Sequence, residues 1–313
     1  MPLAPTTAPD AAARSGRSAR REAVAAASPA SGIDWRSLLL LAPALALLAL
    51  FVASVAQMVA LSFGDGEGFG LQHYRAFFAR PDYVETYLRT LKVSALVTVY
   101  SIVIGYPIAY AIWRYPGNRN LLMILVALPW LVSVVVRTYA WMVILGPRGV
   151  INETLVWLGV IDAPLKLMFN TTGVVIGLVH VLLPFMVISV LSVLMHLDRG
   201  LEEASMSLGG NRAYTFARVT LPLSLPGVIG GATLIYLMST GAIVTPLLLG
   251  GIRERMIGTQ IYQEVMQTFN FPKASTLAVL LLVGGLVAIL PLQWLERRMS
   301  KRMGATGTRQ GRA

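Results

Sequence analysis

Six apolar runs, each near the ~20 residues that a helix needs to cross the hydrocarbon of a bilayer, constrain this chain more than any other feature. They are expected at about 37–62, 91–113, 120–146, 172–196, 223–249 and 275–295. None shows the two-residue alternation of a lipid-facing barrel strand. Lipid offers an open backbone no hydrogen bonds, so an α-helical bundle is the spanning structure these runs predict. Only 13% of residues are charged, against roughly 25% in a soluble domain, which leaves too little polar surface to face water on all sides. The stretch Ser54-Val55-Ala56 resembles a signal-peptide cleavage site. The apolar run from Leu38 to Phe63 is nonetheless longer than an h-region of ~7–15 residues, so it reads as a span.

An even number of spans puts both termini on one side. Sixteen Lys and Arg fall on the terminal side, among them Arg14, Arg17, Arg20, Arg21, Arg114, Arg119, Arg199, Arg297 and Lys301, against nine on the other. The positive-inside rule then makes the termini cytoplasmic. The expected organisation is a disordered cytoplasmic tail over 1–33, a membrane domain over 34–297 and a basic cytoplasmic tail over 298–313. The net charge of +11 sits largely in the tails, where it reads as orientation beside membrane lipid and not as a nucleic-acid site. With no cysteine in the chain, disulfides, thiolate chemistry and Cys-based metal centres are excluded. No metal site and no catalytic residue is expected. The outer loops (about 63–90, 147–171 and 250–274) are long enough to cover the mouth of the bundle or to receive a partner.

The one polar, structured segment between spans is 198–222, on the cytoplasmic side by the count above. Asp198 can cap a helix with Glu202 and Glu203 in its first turn, where carboxylates complement the helix dipole. Gly209-Gly210 supplies a left-handed stop, and Asn211 can cap a second short helix. Leu221-Pro222 is expected to end that helix at the membrane, with Pro226-Gly227 opening the next span. Small Ala204 and Ser205 would let another surface approach closely. These signals suit either a docking hairpin or a membrane-surface hairpin with no partner.

Glu203-Ala204-Ser205, Gly209 four residues after Ser205, and Val219, Leu221 and Pro222 beyond it together resemble the "EAA" loop of inner-membrane permeases of binding-protein-dependent ABC importers. Ser205 stands where the usual pattern has a second Ala. The segments Val136–Trp141, Gly146–Asn152 and His180–Met186 are similar to the spermidine/putrescine-type branch. The resemblance implies an all-α integral membrane fold, the six-helix bundle of a type I (MetI-like) importer permease in the bacterial inner membrane. It further implies a coupling loop at 198–222 through which Glu202, Glu203, Ala204, Ser205, Gly209, Leu221 and Pro222 contact an ATPase subunit dimer. The other implied partners are a second, homologous permease and a periplasmic substrate-binding protein, with polyamine as the leading solute.

What is missing points the same way. No G-x-x-x-x-G-K-S/T phosphate loop occurs, so this chain is expected to bind no cofactor and perform no hydrolysis. ATP and Mg would sit on a separate ATPase chain. No span interior holds Asp or Glu, which weakens the rival reading of an ion-coupled secondary carrier. A scaffold without a transport path is a second rival, and other amino-acid-derived or cationic solutes remain open. Arg137 is the intramembrane charge. It is expected to snorkel or bond carbonyls as a structural residue, with a gate or partner contact as the alternative. His180 is expected to make an interhelical hydrogen bond. Tyr139, Trp141, His180, Tyr236, Met238, Thr240 and Thr245 are the candidates for lining a path, with a kink expected at Pro246 and Trp130 read as an interface anchor.

Overall fold

The computed structural model describes residues 35–64, 70–251 and 254–307. The expected tail over 1–33, the loop residues Asp65, Glu67 and Arg253, and the stretch from 308 onward lie outside them. The described residues form helices α1 (Trp35–Phe63), α2 (Gln72–Phe78), α3 (Pro81–Arg114), α4 (Arg119–Leu131), α5 (Val134–Leu145), α6 (Val150–Trp157) and α7 (Thr171–Met195). Then come α8 (Gly200–Ser207), α9 (Arg212–Thr215), a π-helical turn (Phe216–Thr220), α10 (Leu221–Thr240), α11 (Val244–Leu249), α12 (Ile257–Met266) and α13 (Phe271–Gly307). Six stretches among them are long and apolar enough to cross a membrane.

The chain divides into two units, residues 1–56 and 57–313. The described part of the first is an apolar helical stretch that carries Pro43. The second holds the core. There α3, α7 and α10 pack on one another. Along α7, Val174, Leu178, Leu182, Met186, Val190 and Leu194 recur every four residues, and all are buried. That spacing places them on one face of a helix. The partner helices meet this stripe with glycine. A Cβ on Gly105 of α3 would lie 2.7 Å from Met186 Cγ, and one on Gly231 of α10 would lie 2.9 Å from Met186 Sδ. Gly227 of α10 comes closer still to backbone, since its Cβ would stand 2.8 Å from the Ser189 carbonyl oxygen. In lipid, helices associate by such close fit of small residues, because the hydrophobic effect no longer separates helix from solvent. The Ser189 hydroxyl donates to the Gly227 carbonyl at 2.8 Å, and Tyr106 and Ser224 share a hydrogen bond at 2.8 Å.

A second, smaller cluster of Phe77, Ile257 and Leu277 joins α2, α12 and α13. Tyr87 of α3 donates to the Leu280 carbonyl of α13, a contact possible only because residue 284 is glycine: a Cβ there would fall 1.7 Å from the tyrosine oxygen.

The helices depart from the expected spans in five places. α3 starts at Pro81, ten residues early, with proline at its first turn and Asp82 beside it, both favourable at a helix start. Its 34 residues make ~51 Å at 1.5 Å per residue, so its charged first turns extend beyond a ~30 Å hydrocarbon layer. The third span, read as one helix over 120–146, is two. Pro129 removes a ladder donor in the last turn of α4, and Val132 and Ser133 are extended, with ψ of 138° and 137°. The fifth is also broken, at Gly241–Ile243 and not at the Pro246 where a kink was expected. Pro222 does not end a helix at the membrane. It lies in the first turn of α10, which follows the π-turn without interruption, and Pro226 lies inside α10. The residues before it are helical too, so Pro222 neither starts nor stops the stretch, and its missing donor falls where the π-turn has already shifted the ladder. The last helix continues to Gly307, past the expected end at 295.

The fit of α10 against α7 yields a prediction. Gly227→Val forces atoms into the Ser189 backbone and is expected to cost about 1–3 kcal/mol. The measurement is the thermal melting of the detergent-purified protein, which should fall well below wild type, while Gly230→Val, whose Cβ meets only Ser189 Oγ at 3.5 Å, should change it little.

Candidate functional site

The hairpin between α7 and α10 keeps the left-handed stop and the Asn211 cap that its sequence suggested, but the cap position of α8 is Arg199, without a side-chain bond, and not Asp198. Asp198 accepts the Gly200 backbone N–H at 2.9 Å ahead of α8. Gly209 takes φ +90°, the left-handed region that a side chain would disfavour. Asn211 caps α9 by accepting the Tyr214 N–H at 2.8 Å. Ser205 and Thr215 clasp the two arms through a hydroxyl–hydroxyl bond of 2.9 Å.

Its root is fastened to the membrane bundle. Glu202 is buried. One of its carboxylate oxygens accepts Arg114 Nη1 from the end of α3 at 2.7 Å, and the other accepts the Thr220 hydroxyl at 2.5 Å. Arg199 donates to the Trp113 carbonyl at 3.0 Å and lies 5.5 Å over the Trp113 ring. The tip is free of such ties: Glu203, Ala204, Met206, Leu208 and Gly209 are exposed, Leu208 by 90%. Glu202 and Glu203, both expected to contact the ATPase, therefore point about 100° apart around α8, which is what 3.6 residues per turn requires of neighbours, and Glu202 is turned inward. Leu221 is half-buried against the core and Pro222 is exposed beside it. Arg114 and Thr220 were not singled out from the sequence. A basic residue closing a span was the available signal for Arg114. Nothing marked Thr220, because its role depends on a partner 18 positions away.

The two broken spans meet. Thr138 in α5 and Thr245 in α11 hydrogen-bond at 3.2 Å, both buried. Gly258 at the start of α12 lies against the Ala242 carbonyl, with room for no Cβ. The seven path candidates do not converge on this junction. Thr245 belongs to it. Trp141 and His180 face each other edge-on with ring centroids 5.6 Å apart in a cleft of about 510 Å³ lined also by Leu96, Tyr100, Val175 and Val179. Tyr139 projects outward, 63% exposed, and Met238 is exposed on α10. Tyr236 is buried, and its carbonyl accepts the hydroxyls of Ser239 and Thr240. One expectation is corrected: among the described residues His180 Nδ1 is buried without a hydrogen-bond partner, and the ring packs edge-on against Trp141 instead. The buried Nε and Nη1 of Arg137 bond no carbonyl among the described residues, while its Nη2 is not enclosed. Trp130, read as an anchor, meets Phe185 of α7 edge-on at 5.8 Å while staying 55% exposed.

At the opposite end from the hairpin, charges are paired: Arg89 with Glu85 at 2.5 Å and with Glu254 at 3.6 Å, and Lys273 with Glu264. Asn152, buried, donates to the Gly146 and Leu165 carbonyls and accepts the Leu165 N–H, which closes the loop between α5 and α7.

The sequence profile of the family described as "Binding-protein-dependent transport system inner membrane component" matches residues 101–301, more than half of the chain and all of the hairpin. The chain belongs to this family. Among this permease's relatives, the spermidine/putrescine transport system permease protein PotB of Escherichia coli strain K12 is 36% identical over 221 residues, covering 70% of this chain and 80% of that one. PotB of Salmonella typhimurium strain LT2 is 35% identical over 233 residues, covering 74% and 80%. The molybdenum transport system permease protein ModB of E. coli K12 is 31% identical over 223 residues, covering 69% and 95%. Two solved structures share the fold. A bacterial alginate ABC transporter in complex with an alginate-bound periplasmic protein matches with TM-score 0.70 at 21% identity over 86% of this chain and 96% of its own. The MetNI methionine ABC transporter, inward facing, matches with TM-score 0.54 at 20% identity over 69% and 95%. The permease is thus the transmembrane subunit of an ABC importer, and its relatives are permeases and not enzymes.

Glu202→Ala strands the Arg114 guanidinium and the Thr220 hydroxyl at the hairpin root. Charge-assisted bonds of this kind contribute ~1.5–3 kcal/mol, so the hairpin should loosen before the bundle does. Hydrogen exchange of the 199–220 backbone in the purified protein is expected to speed up by at least roughly tenfold, with α7 amides unchanged. Equal exchange in variant and wild type would mean that this contact does not hold the root.

Proposed function

We propose that the chain carries a small organic solute across the bacterial inner membrane as one of two permeases, driven by ATP hydrolysis on a separate ATPase chain that grips the 198–222 hairpin. The observation that carries the reading is the division of labour within that hairpin. Its root is tied to the end of α3 by Glu202 and Arg199, while Glu203, Ala204 and Gly209 at its tip stay exposed. A force applied at the tip would therefore reach α3 and, through it, the α7–α10 core. ATP binding would shift the population between two packings of the spans, as a ligand with different affinity for two states must. The Lys and Arg count supports an orientation with the hairpin and both termini in the cytoplasm, and membrane lipid around the bundle. The paired charges and clamped loops at the other end would then receive a periplasmic binding protein. The alginate transporter, solved in complex with a substrate-bound periplasmic protein, supports such a partner.

Polyamine is the solute we infer, supported by the spermidine/putrescine permeases among the relatives. Tyr100 and Trp141 in the cleft offer π faces to an alkylammonium chain. An amino-acid-derived solute is the second reading, favoured by the absence of any carboxylate among the residues that line the cleft.

Two substitutions test the hairpin. Gly209→Pro cannot adopt φ +90°, and Glu203→Lys reverses charge on the exposed face of α8. Both should abolish uptake and solute-stimulated ATP hydrolysis by the reconstituted importer while leaving membrane insertion intact. Wild-type uptake by both would rule out a coupling role for the loop.

A further inference from the structure

The Arg137 side chain is buried, 9% exposed, in the first turn of α5. Neither Nε nor Nη1 has a hydrogen-bond partner among the described residues. The residue lies eight positions before the end of α5, ~12 Å along the helix axis. A guanidinium held this way is costly unless an anion pairs with it.

The surroundings add to the deficit. α5 is a half-helix, started inside the third span by the break at Val132–Ser133, and Ser133 provides no side-chain cap. Its N-terminal end therefore presents partial positive charge where Arg137 already stands. One turn further along the same face, Trp141 meets His180, whose buried Nδ1 also lacks a partner. The half-helix α11 abuts α5 at the same level through Thr138 and Thr245. Discontinuous helices that meet inside a membrane, with a positive half-helix end and an unpaired guanidinium edge, form an arrangement suited to an anion.

Among the described residues no carboxylate pairs with Arg137. The chain holds no Asp or Glu at 86–152, 163–197, 204–253 or 265–295. Glu254 and Glu264 are paired with Arg89 and Lys273 at the other end.

We propose that Arg137 is half of an intramembrane ion pair whose carboxylate comes from outside this chain, carried either by the transported solute or by a span of the second permease. The inference rests on the importer reading above. It is independent of the polyamine assignment, which the solute source would replace, since polyamines carry no carboxylate.

The test uses the whole importer, co-purified with its ATPase, second permease and binding protein and reconstituted in vesicles, with Arg137→Met and Arg137→Lys. Arg137→Met is expected to reduce transport by roughly tenfold or more, and Arg137→Lys, which keeps the charge, to recover part of it. If the solute carries the carboxylate, the complex assembles and hydrolyses ATP at its basal rate, and the KM for solute rises. Carboxylate-free analogues are then unaffected. If the second permease carries it, Arg137→Met loses that subunit during purification, and a Lys placed at the matching acid restores assembly with Arg137→Glu. Either result supports the site. Wild-type transport and assembly by Arg137→Met in an ATP-active complex overturns the inference alone. A wild-type complex that recovers no ATPase overturns the importer reading and this inference together.

Discussion

The seating of Met186 between two glycines is the contact on which the rest of this permease is arranged. Gly105 and Gly231 leave just enough space for that side chain, so α3 and α10 both lie against α7 at a distance that larger residues would forbid. In lipid this close fit does what hydrophobic exclusion does in water. It leaves the outward faces of α4 and α5, with Leu121, Leu125, Leu131, Val135 and Val136 exposed, free for lipid or another subunit. Fixing α3 against α7 also fixes where Arg114 emerges, and so decides where the hairpin can be tied.

The hairpin joins two opposite properties in one short segment. Its root is held by a buried carboxylate that satisfies a guanidinium and a hydroxyl at once. Its tip is polar and open. Buried polar groups that are fully satisfied rigidify their surroundings, whereas an exposed tip stays available to a partner. The π-helical turn at Phe216–Thr220 leads directly into α10, so the return arm is continuous with a core helix. Wider turns of this kind are frequent at functional sites.

The two helix breaks form the other half of the design. A backbone can leave the helical ladder inside a membrane only where protein or trapped water satisfies it. Here α5 and α11 shelter each other through Thr138 and Thr245, and α12 packs its Gly258 against the Ala242 carbonyl. Arg137 sits in this sheltered zone with no partner for its Nε or Nη1 among the described residues, which ties the breaks to chemistry as well as to shape.

The sequence by itself determined the helical class, the approximate place of the spans, and the left-handed stop and Asn211 cap of the hairpin. Those follow from local causes: apolar length, Asn211 as an acceptor, and Gly209 for a positive φ. It also carried the family, because the spacing of Glu203, Gly209 and Pro222 is a local pattern. Only the tertiary structure decided that Glu202 turns inward while Glu203 faces out, and that the third and fifth spans are broken. It alone separated Trp141 and His180 in a cleft from Tyr139 and Met238 on the surface. A break of two or three residues inside an apolar run leaves no trace in periodicity, and the burial of one acid among neighbours depends on a guanidinium 88 positions away. Such long-range partners exist only once α3, α7 and α10 have packed, which is why composition and spacing could not reveal them.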